Sequence, residues 1–145
     1  MTDYEIRHFN TGDLDQVAEI WLAANQQAHS FISAEYWLEN LGPVKEMLPQ
    51  AEIYVLEREG EIAAFIGLQG DYIAGLFVSA EVRSRGLGRL LLDRAKQEHD
   101  RLSLKVYSKN TRAQSFYLRE GFVYGEASID SETGEEEHSM FWERG

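Results

Sequence analysis

The stretch Leu76-Phe77-Val78-Ser79-Ala80-Glu81-Val82-Arg83-Ser84-Arg85-Gly86-Leu87-Gly88-Arg89 decides how this chain folds. An apolar strand, Tyr72 to Val78, runs into a loop of arginines and glycines. An amphipathic helix starts on those glycines, with Leu87, Leu90, Leu91, Arg94 and Ala95 at helical spacing. Such a junction attracts anions. The first N–H groups of a helix lack intrahelical partners, the helix dipole puts partial positive charge there, and glycine lets a phosphate approach the main chain. Arg83, Arg85 and Arg89 add formal charge at this one helix start. A pyrophosphate is the natural ligand. Neither G-x-x-x-x-G-K-[ST] nor a G-x-G-x-x-G after a strand is present, so its carrier is neither a P-loop nucleotide nor a Rossmann dinucleotide.

Upstream of the loop, period-2 alternation around Tyr4 and Ile6 predicts a strand, and Thr11-Gly12-Asp13 a turn. Asp13 is the expected N-cap of a helix whose stripe is Leu14, Val17, Ala18, Trp21 and Ala24. Ser33 opens a second helix, interrupted at Gly42-Pro43 and ended by Pro49. Ile53 to Leu56 and Ile62 to Ile66 read as a hairpin across Glu57 to Glu61. Downstream, the pattern gives a strand at Leu102 to Val106 and a helix at Ala113 to Glu120, closed by Gly121 as a left-handed C′ residue. Strands Phe122 to Ile129 and His138 to Glu143 flank the acidic turn Asp130 to Glu137. The order β-α-α-β-β-β-α-β-α-β-β predicts an α/β (α+β) fold, a mixed, mostly antiparallel sheet with helices on both faces. Without a linker or repeat, residues 1–145 are expected to form one domain.

Composition narrows the function. The 14 Lys and Arg against 25 Asp and Glu give a net charge of −11, which argues against a nucleic-acid partner and favours a cationic or amine-bearing one. There is no cysteine, so thiolate nucleophiles and Cys-ligated metals are excluded. The 4 histidines are scattered without H-x-x-x-H spacing, and no metal is expected. The longest apolar run, Ile62 to Leu68, falls far short of the ~20 residues that span a bilayer. A cytoplasmic protein with no membrane partner is the expectation.

A second segment, Asn110-Thr111-Arg112-Ala113-Gln114-Ser115-Phe116-Tyr117-Leu118-Arg119-Glu120-Gly121-Phe122, resembles the C-terminal motif of the GCN5-related N-acetyltransferases (GNAT), N-x-x-A-x-x-F-Y-x-x-x-G-F. It follows the arginine-glycine loop after one helix and one strand, as in that family. The stretch His29 to Tyr36 is similar to one found in small single-domain bacterial members. The resemblance implies the acyl-CoA N-acyltransferase fold, splayed between its fourth and fifth strands, and acetyl-CoA as cosubstrate. It assigns main-chain contacts with pantetheine to Leu76, Phe77 and Val78, with the Val78 amide polarising the thioester carbonyl. It places the pyrophosphate on Ser84, Arg85, Gly86, Leu87, Gly88 and Arg89, puts Arg83 at the first motif position, and gives Asn110 a cofactor hydrogen bond. Tyr117 corresponds to the acid that protonates the departing thiolate.

The chain departs from the family at one point. Many members carry a Glu or Asp on the fourth strand as general base, whereas Ile73-Ala74-Gly75 offers no carboxylate. Deprotonation is then expected to pass through ordered water or to use a group from elsewhere, such as His29, Glu35 or Asp71, with His29 first among the side chains because its ordinary pKa is near 6.5. The expected activity is transfer of acetyl to a small-molecule or peptide amine by direct attack. The alternative is an acyl-CoA sensor without turnover, and an edge strand near the C-terminus could pair in a homodimer.

Overall fold

A computed structural model describes residues 4–82 and 86–145. Its elements are β1 (Glu5–His8), α1 (Leu14–Ala28), α2 (Ala34–Met47), β2 (Glu52–Arg58), β3 (Glu61–Gln69), β4 (Tyr72–Val78), α3 (Leu87–Glu98), β5 (Arg101–Tyr107), α4 (Thr111–Arg119), β6 (Val123–Ile129) and β7 (Glu136–Glu143). The expected order of elements is found. The seven strands lie in the order β1-β2-β3-β4-β5-β7-β6. All neighbours are antiparallel except β4 and β5, which run parallel.

Alternation along the central strands builds two cores from one sheet. Ile53, Val55 and Phe65 face Val17 and Ala18 of α1. Tyr54, Leu56, Ile66 and Leu68 face Leu87, Leu91 and Leu92 of α3. With both faces covered, β3 is buried without a break from Ile62 to Leu68. No helix among the described residues is long and apolar enough to cross a membrane.

Two local expectations are corrected. Asp13 closes a short 3-10 turn and makes no side-chain cap to α1. Its carboxylate is instead gripped by Arg7 at 2.8 and 2.9 Å and accepts from the Asn10 amide, while Asn10 itself caps the turn through the Gly12 amide. The Arg7 pairing outcompetes capping because the carboxylate is buried and a charged partner stabilises it most. Gly42-Pro43 does not interrupt α2, which continues to Met47. Pro43 is exposed, so the carbonyl left without its amide partner faces water and costs little. Ser33 does cap α2, accepting from the Tyr36 amide, and Gly121 is left-handed at φ 93°.

Where β4 meets β5, the pairing is nearly absent. Their register holds a single pair, Tyr72 with Ser103, supported by the Ser103 amide donating to the Asp71 carbonyl at 2.9 Å. Beyond it the strands part, as the family resemblance implies. β4 is also bulged: its pairing with β3 steps from Gly75–Gly67 to Ile73–Leu68 and leaves Ala74 as an extra residue.

At the closed end of the gap, His99 ties three connections together. Its Nδ1 lies 2.9 Å from Asp71 and its Nε2 3.1 Å from Glu52. Both nitrogens face carboxylates, so the ring binds best with both protonated. Burial lowers its pKa, but the hydrogen bonds and charges of Asp71 and Glu52 outweigh that and leave it raised. The stabilisation is therefore complete below the ordinary histidine pKa of about 6.5 and fades as pH climbs through the raised value. His99→Gln should cost roughly 1 kcal/mol at pH 6 and progressively less at higher pH, read by urea unfolding across the series. A loss independent of pH would show that the ring acts by packing alone.

Candidate active site

The parting of β4 from β5 exposes backbone, and the direction of that backbone follows from the pairing on its other side. The Ser79 amide donates to the Ala63 carbonyl at 2.8 Å, which makes Ser79 and Ala63 a hydrogen-bonded pair of the antiparallel ladder. Alternation then turns Phe77 toward β3 and turns the N–H and C=O of Leu76 and Val78 away from it, into the gap. The side chains of Leu76 and Val78 pack on the α3 core, and Phe77 packs on the α1 core.

A cavity of about 900 Å³ fills this gap, near the upper end of small-molecule sites at ~300–1,000 Å³. Leu76, Phe77 and Val78 form one wall, Gly86, Leu87, Gly88 and Arg89 the second, and Asn110 to Ala113 with Phe116 and Tyr117 the third. Arg83, Ser84 and Arg85 lie outside the described residues. Gly86 caps α3 in the left-handed region at φ 75°, a conformation that favours glycine, and supplies no side-chain acceptor for the amides behind it. A β-carbon at Gly88 would lie 3.6 Å from the Phe116 ring and 3.8 Å from Val78, so glycine lets α3, α4 and β4 converge there.

The charge of the lining opposes that of the whole chain. Among the described residues, Arg89, Lys109, Arg112 and Arg119 line the cavity against one carboxylate, Glu120, which lies 3.7 Å from Arg89. Sequence reasoning named only Arg89 of the four. Lys109 and Arg112 flank Asn110, and Arg119 stands seven residues after Arg112 on the same helix face, a pattern visible once α4 is drawn as a helix.

Tyr117 is buried on α4, its ring held between Phe116 and Phe122. Burial raises its pKa, so the phenol holds its proton throughout the neutral range.

His29 and Asn110, read separately from the sequence, meet at 2.9 Å. Their protonation follows from the chain of partners. Asn25 donates its amide to the Trp21 carbonyl at 2.9 Å, so its oxygen faces His29 Nδ1 at 3.0 Å and requires a proton there. Asn110 Oδ1 accepts from the Ala113 amide at 3.1 Å as the cap of α4, so its nitrogen donates to His29 Nε2. Burial also pushes the His29 pKa down to about 4. The ring is neutral, and its one lone pair is taken. It braces the end of α1 against the start of α4 rather than offering a free base. Glu35 is exposed in the first turn of α2 and is not among the lining residues. Asp71 sits at the closed end with His99.

The missing β4 carboxylate has a steric cause. A β-carbon at Gly75 would overlap the Phe77 ring, which lies folded over that position and packs against Phe65 at 5.4 Å. Tyr107, also unremarked in the sequence, donates to Asp130 at 2.6 Å and packs edge-on against His29 and Phe31. Among the described residues, no group of three or more His, Cys, Asp or Glu could hold a metal ion.

The chain is similar to known proteins in sequence and in fold. The acetyltransferase (GNAT) domain family matches residues 49–124. Peptidyl-lysine N-acetyltransferase YiaC of Escherichia coli (strain K12) is 32% identical over 139 residues, covering 94% of this chain and 95% of its own. Peptidyl-lysine N-acetyltransferase YjaB of the same organism is 32% identical over 127 residues, 86% of each. The solution structure of apo-form YjaB from Escherichia coli superposes with a TM-score of 0.87 at 26% identity, covering 99% of this chain and all 100% of that one. A PaiA N-acetyltransferase from Thermoplasma acidophilum, solved in complex with coenzyme A, shares the fold with a TM-score of 0.79 at 19% identity, over 95% of this chain and 98% of its own.

Gly88→Glu tests the helix start as an anion site. A β-carbon there meets only ordinary contacts, and the substitution brings a carboxylate to the first turn of α3. Calorimetry should show acetyl-CoA affinity falling roughly tenfold or more, with the melting temperature of the free protein nearly unchanged. Unaltered affinity would move the pyrophosphate elsewhere.

Proposed function

The chain belongs to the GCN5-related N-acetyltransferase family, and from that premise we propose that it transfers the acetyl group of acetyl-CoA to the side-chain amine of a peptidyl lysine, with residues 1–145 acting as one domain. Relatives at 32% identity across most of the chain carry that activity in their names. The observation that carries the reading is the parted β4–β5 pair, which leaves the amide groups of Leu76 and Val78 facing a cavity lined by four cationic side chains.

In this reading, pantetheine pairs with the free edge of β4 as a strand would, through the main-chain groups of Leu76 and Val78, while those of Phe77, expected from the resemblance to contribute, are turned to β3. The pyrophosphate lies on the amides of Gly86, Leu87, Gly88 and Arg89, with Arg83, Ser84 and Arg85 completing the loop. The Val78 N–H donates to the thioester carbonyl oxygen, where negative charge gathers as the amine attacks. Tyr117 then gives its proton to the departing sulfur, a role that suits a phenol kept protonated by burial. Transfer is direct, and the absence of cysteine agrees with the lack of a thiol nucleophile. Asn110 donates one Nδ2 hydrogen to His29 and keeps the second for the cosubstrate. His29 and Glu35 belong to the acceptor side, the first as a brace. A net charge of −11 favours a lysine in a basic stretch of sequence.

Free-thiol release from acetyl-CoA over a panel of lysine peptides tests the proposal. Turnover should appear with the wild-type chain. Tyr117→Phe should lower kcat roughly 100-fold while leaving the acetyl-CoA dissociation constant within about twofold. Tight acetyl-CoA binding with no thiol release from any peptide or amine would instead leave a sensor of acyl-CoA.

A further inference from the structure

The reaction needs a group to take the proton from the lysine ammonium, and the candidates read from the sequence do not stand free to do so. The Phe77 ring fills the space over Gly75, the lone pair of His29 is occupied by Asn110, Glu35 is exposed to solvent in the first turn of α2, and Asp71 is engaged by His99. Tyr117 belongs to the core on the α3 side of the sheet, which leaves the opposite sheet face for the incoming amine.

The residues on that face follow from strand parity. Leu102, Leu104 and Val106 of β5 point into the α3 core with Met140 and Trp142 of β7. Ser103, Lys105 and Tyr107 therefore point the other way, together with their register partners Phe141, Ser139 and Glu137. On β4, Ile73 is in the α3 core, which turns Tyr72 to this same outer face. Glu137 lies one strand over from the gap, in register with Tyr107, whose ring packs on His29 of the cavity lining, and only 15% of its side chain is exposed.

We propose that Glu137 is the general base, accepting the proton of the lysine ammonium on the outer face of the gap while Tyr117 serves the departing sulfur from the inner face. The proposal rests on the acetyltransfer reading above. In the balanced step, one ammonium proton passes to the Glu137 carboxylate, and the freed nitrogen pair forms the bond to the acetyl carbon. The carbon–sulfur bond breaks, its electron pair stays on sulfur, and the Tyr117 proton neutralises it. The second nitrogen proton then leaves to solvent, giving a neutral amide and free CoA.

The surroundings of Glu137 suit the task. Burial raises its pKa, the charge of Asp130 on the β6–β7 turn raises it further, and Lys105 of β5, at 3.8 Å, draws it back. Tyr72 of β4 also feels its charge, and its pKa is driven up by burial and then by Glu137. Tyr107, its register partner, is committed to Asp130. A carboxylate in such a setting is more basic than one in water and so better matched to an amine.

The test is a pH–rate profile of kcat/KM on a lysine peptide, run for wild type, Glu137→Gln and Lys105→Met. Glu137→Gln should lose roughly 100-fold at pH 7 with acetyl-CoA affinity retained. Its deficit should narrow toward high pH, because a lysine of pKa ~10.4 supplies tenfold more free amine with each added unit. Lys105→Met frees Glu137 of its cation, so the acidic limb of the profile should move to higher pH. Glu136→Gln, one residue away on the opposite face, should match wild type. If Glu137→Gln does not fold, Lys105→Met carries the test alone, and an unmoved limb overturns the proposal. A Glu137→Gln variant that follows the wild-type profile within about twofold overturns Glu137 alone. A wild type without turnover overturns the acetyltransfer reading with it.

Discussion

Two neighbouring parallel strands that stop pairing after one register pair impose the order found in the rest of the molecule. A buried peptide group without a partner costs about 1–3 kcal/mol, so strands do not part inside a core without compensation. Here the parted segment faces a cavity, and the strands are anchored on their far sides. Seven register pairs hold β5 to β7 from Arg101–Glu143 to Tyr107–Glu137, and β4 is held to β3 through a bulge at Ala74. Between them, the start of α3 and the face of α4 meet at Gly88 and Phe116 and hold the gap open from the inner side.

The same geometry sorts charge. The chain is acidic overall, yet four cations converge on the cavity, and the first turn of α3 adds its unpaired amides. An anion near the surface meets repulsion from the chain as a whole and attraction from one place. At physiological ionic strength, where charges beyond ~8 Å are screened, the local attraction decides. Asp130, Glu132, Glu135, Glu136 and Glu137 stand in and beside the β6–β7 turn, on the side where the amine is proposed to enter.

Legibility in the sequence varied with the range of the interaction. The strand–loop–helix at Leu76 to Arg89 and the cap of α2 at Ser33 were readable because their signals are local: periodicity, glycine and a capping hydroxyl. Asp13 was misplaced because its partner, Arg7, lies on a different element and outbids a nearby amide. Pro43 misled because a proline ends a helix only when the broken bond cannot be made good by water. His29 lines the cavity as a ring bonded on both nitrogens. Its environment depends on Asn25 and Asn110, one of them 81 positions away, and no periodicity encodes that meeting. Glu137 was hidden within a run of glutamates that looks like a solvated turn. Only the β5–β7 register separates it from Glu136 on the other face.

The peptide groups of Leu76 and Val78 point into the gap while their side chains serve the core. Contacts made by the main chain do not depend on which residue supplies them. Those positions are therefore free to drift among apolar residues over evolutionary time, constrained by volume and not by identity. The ligand-facing wall can persist in lineages whose residues there no longer match, which is how chains with little sequence in common can keep the same groove.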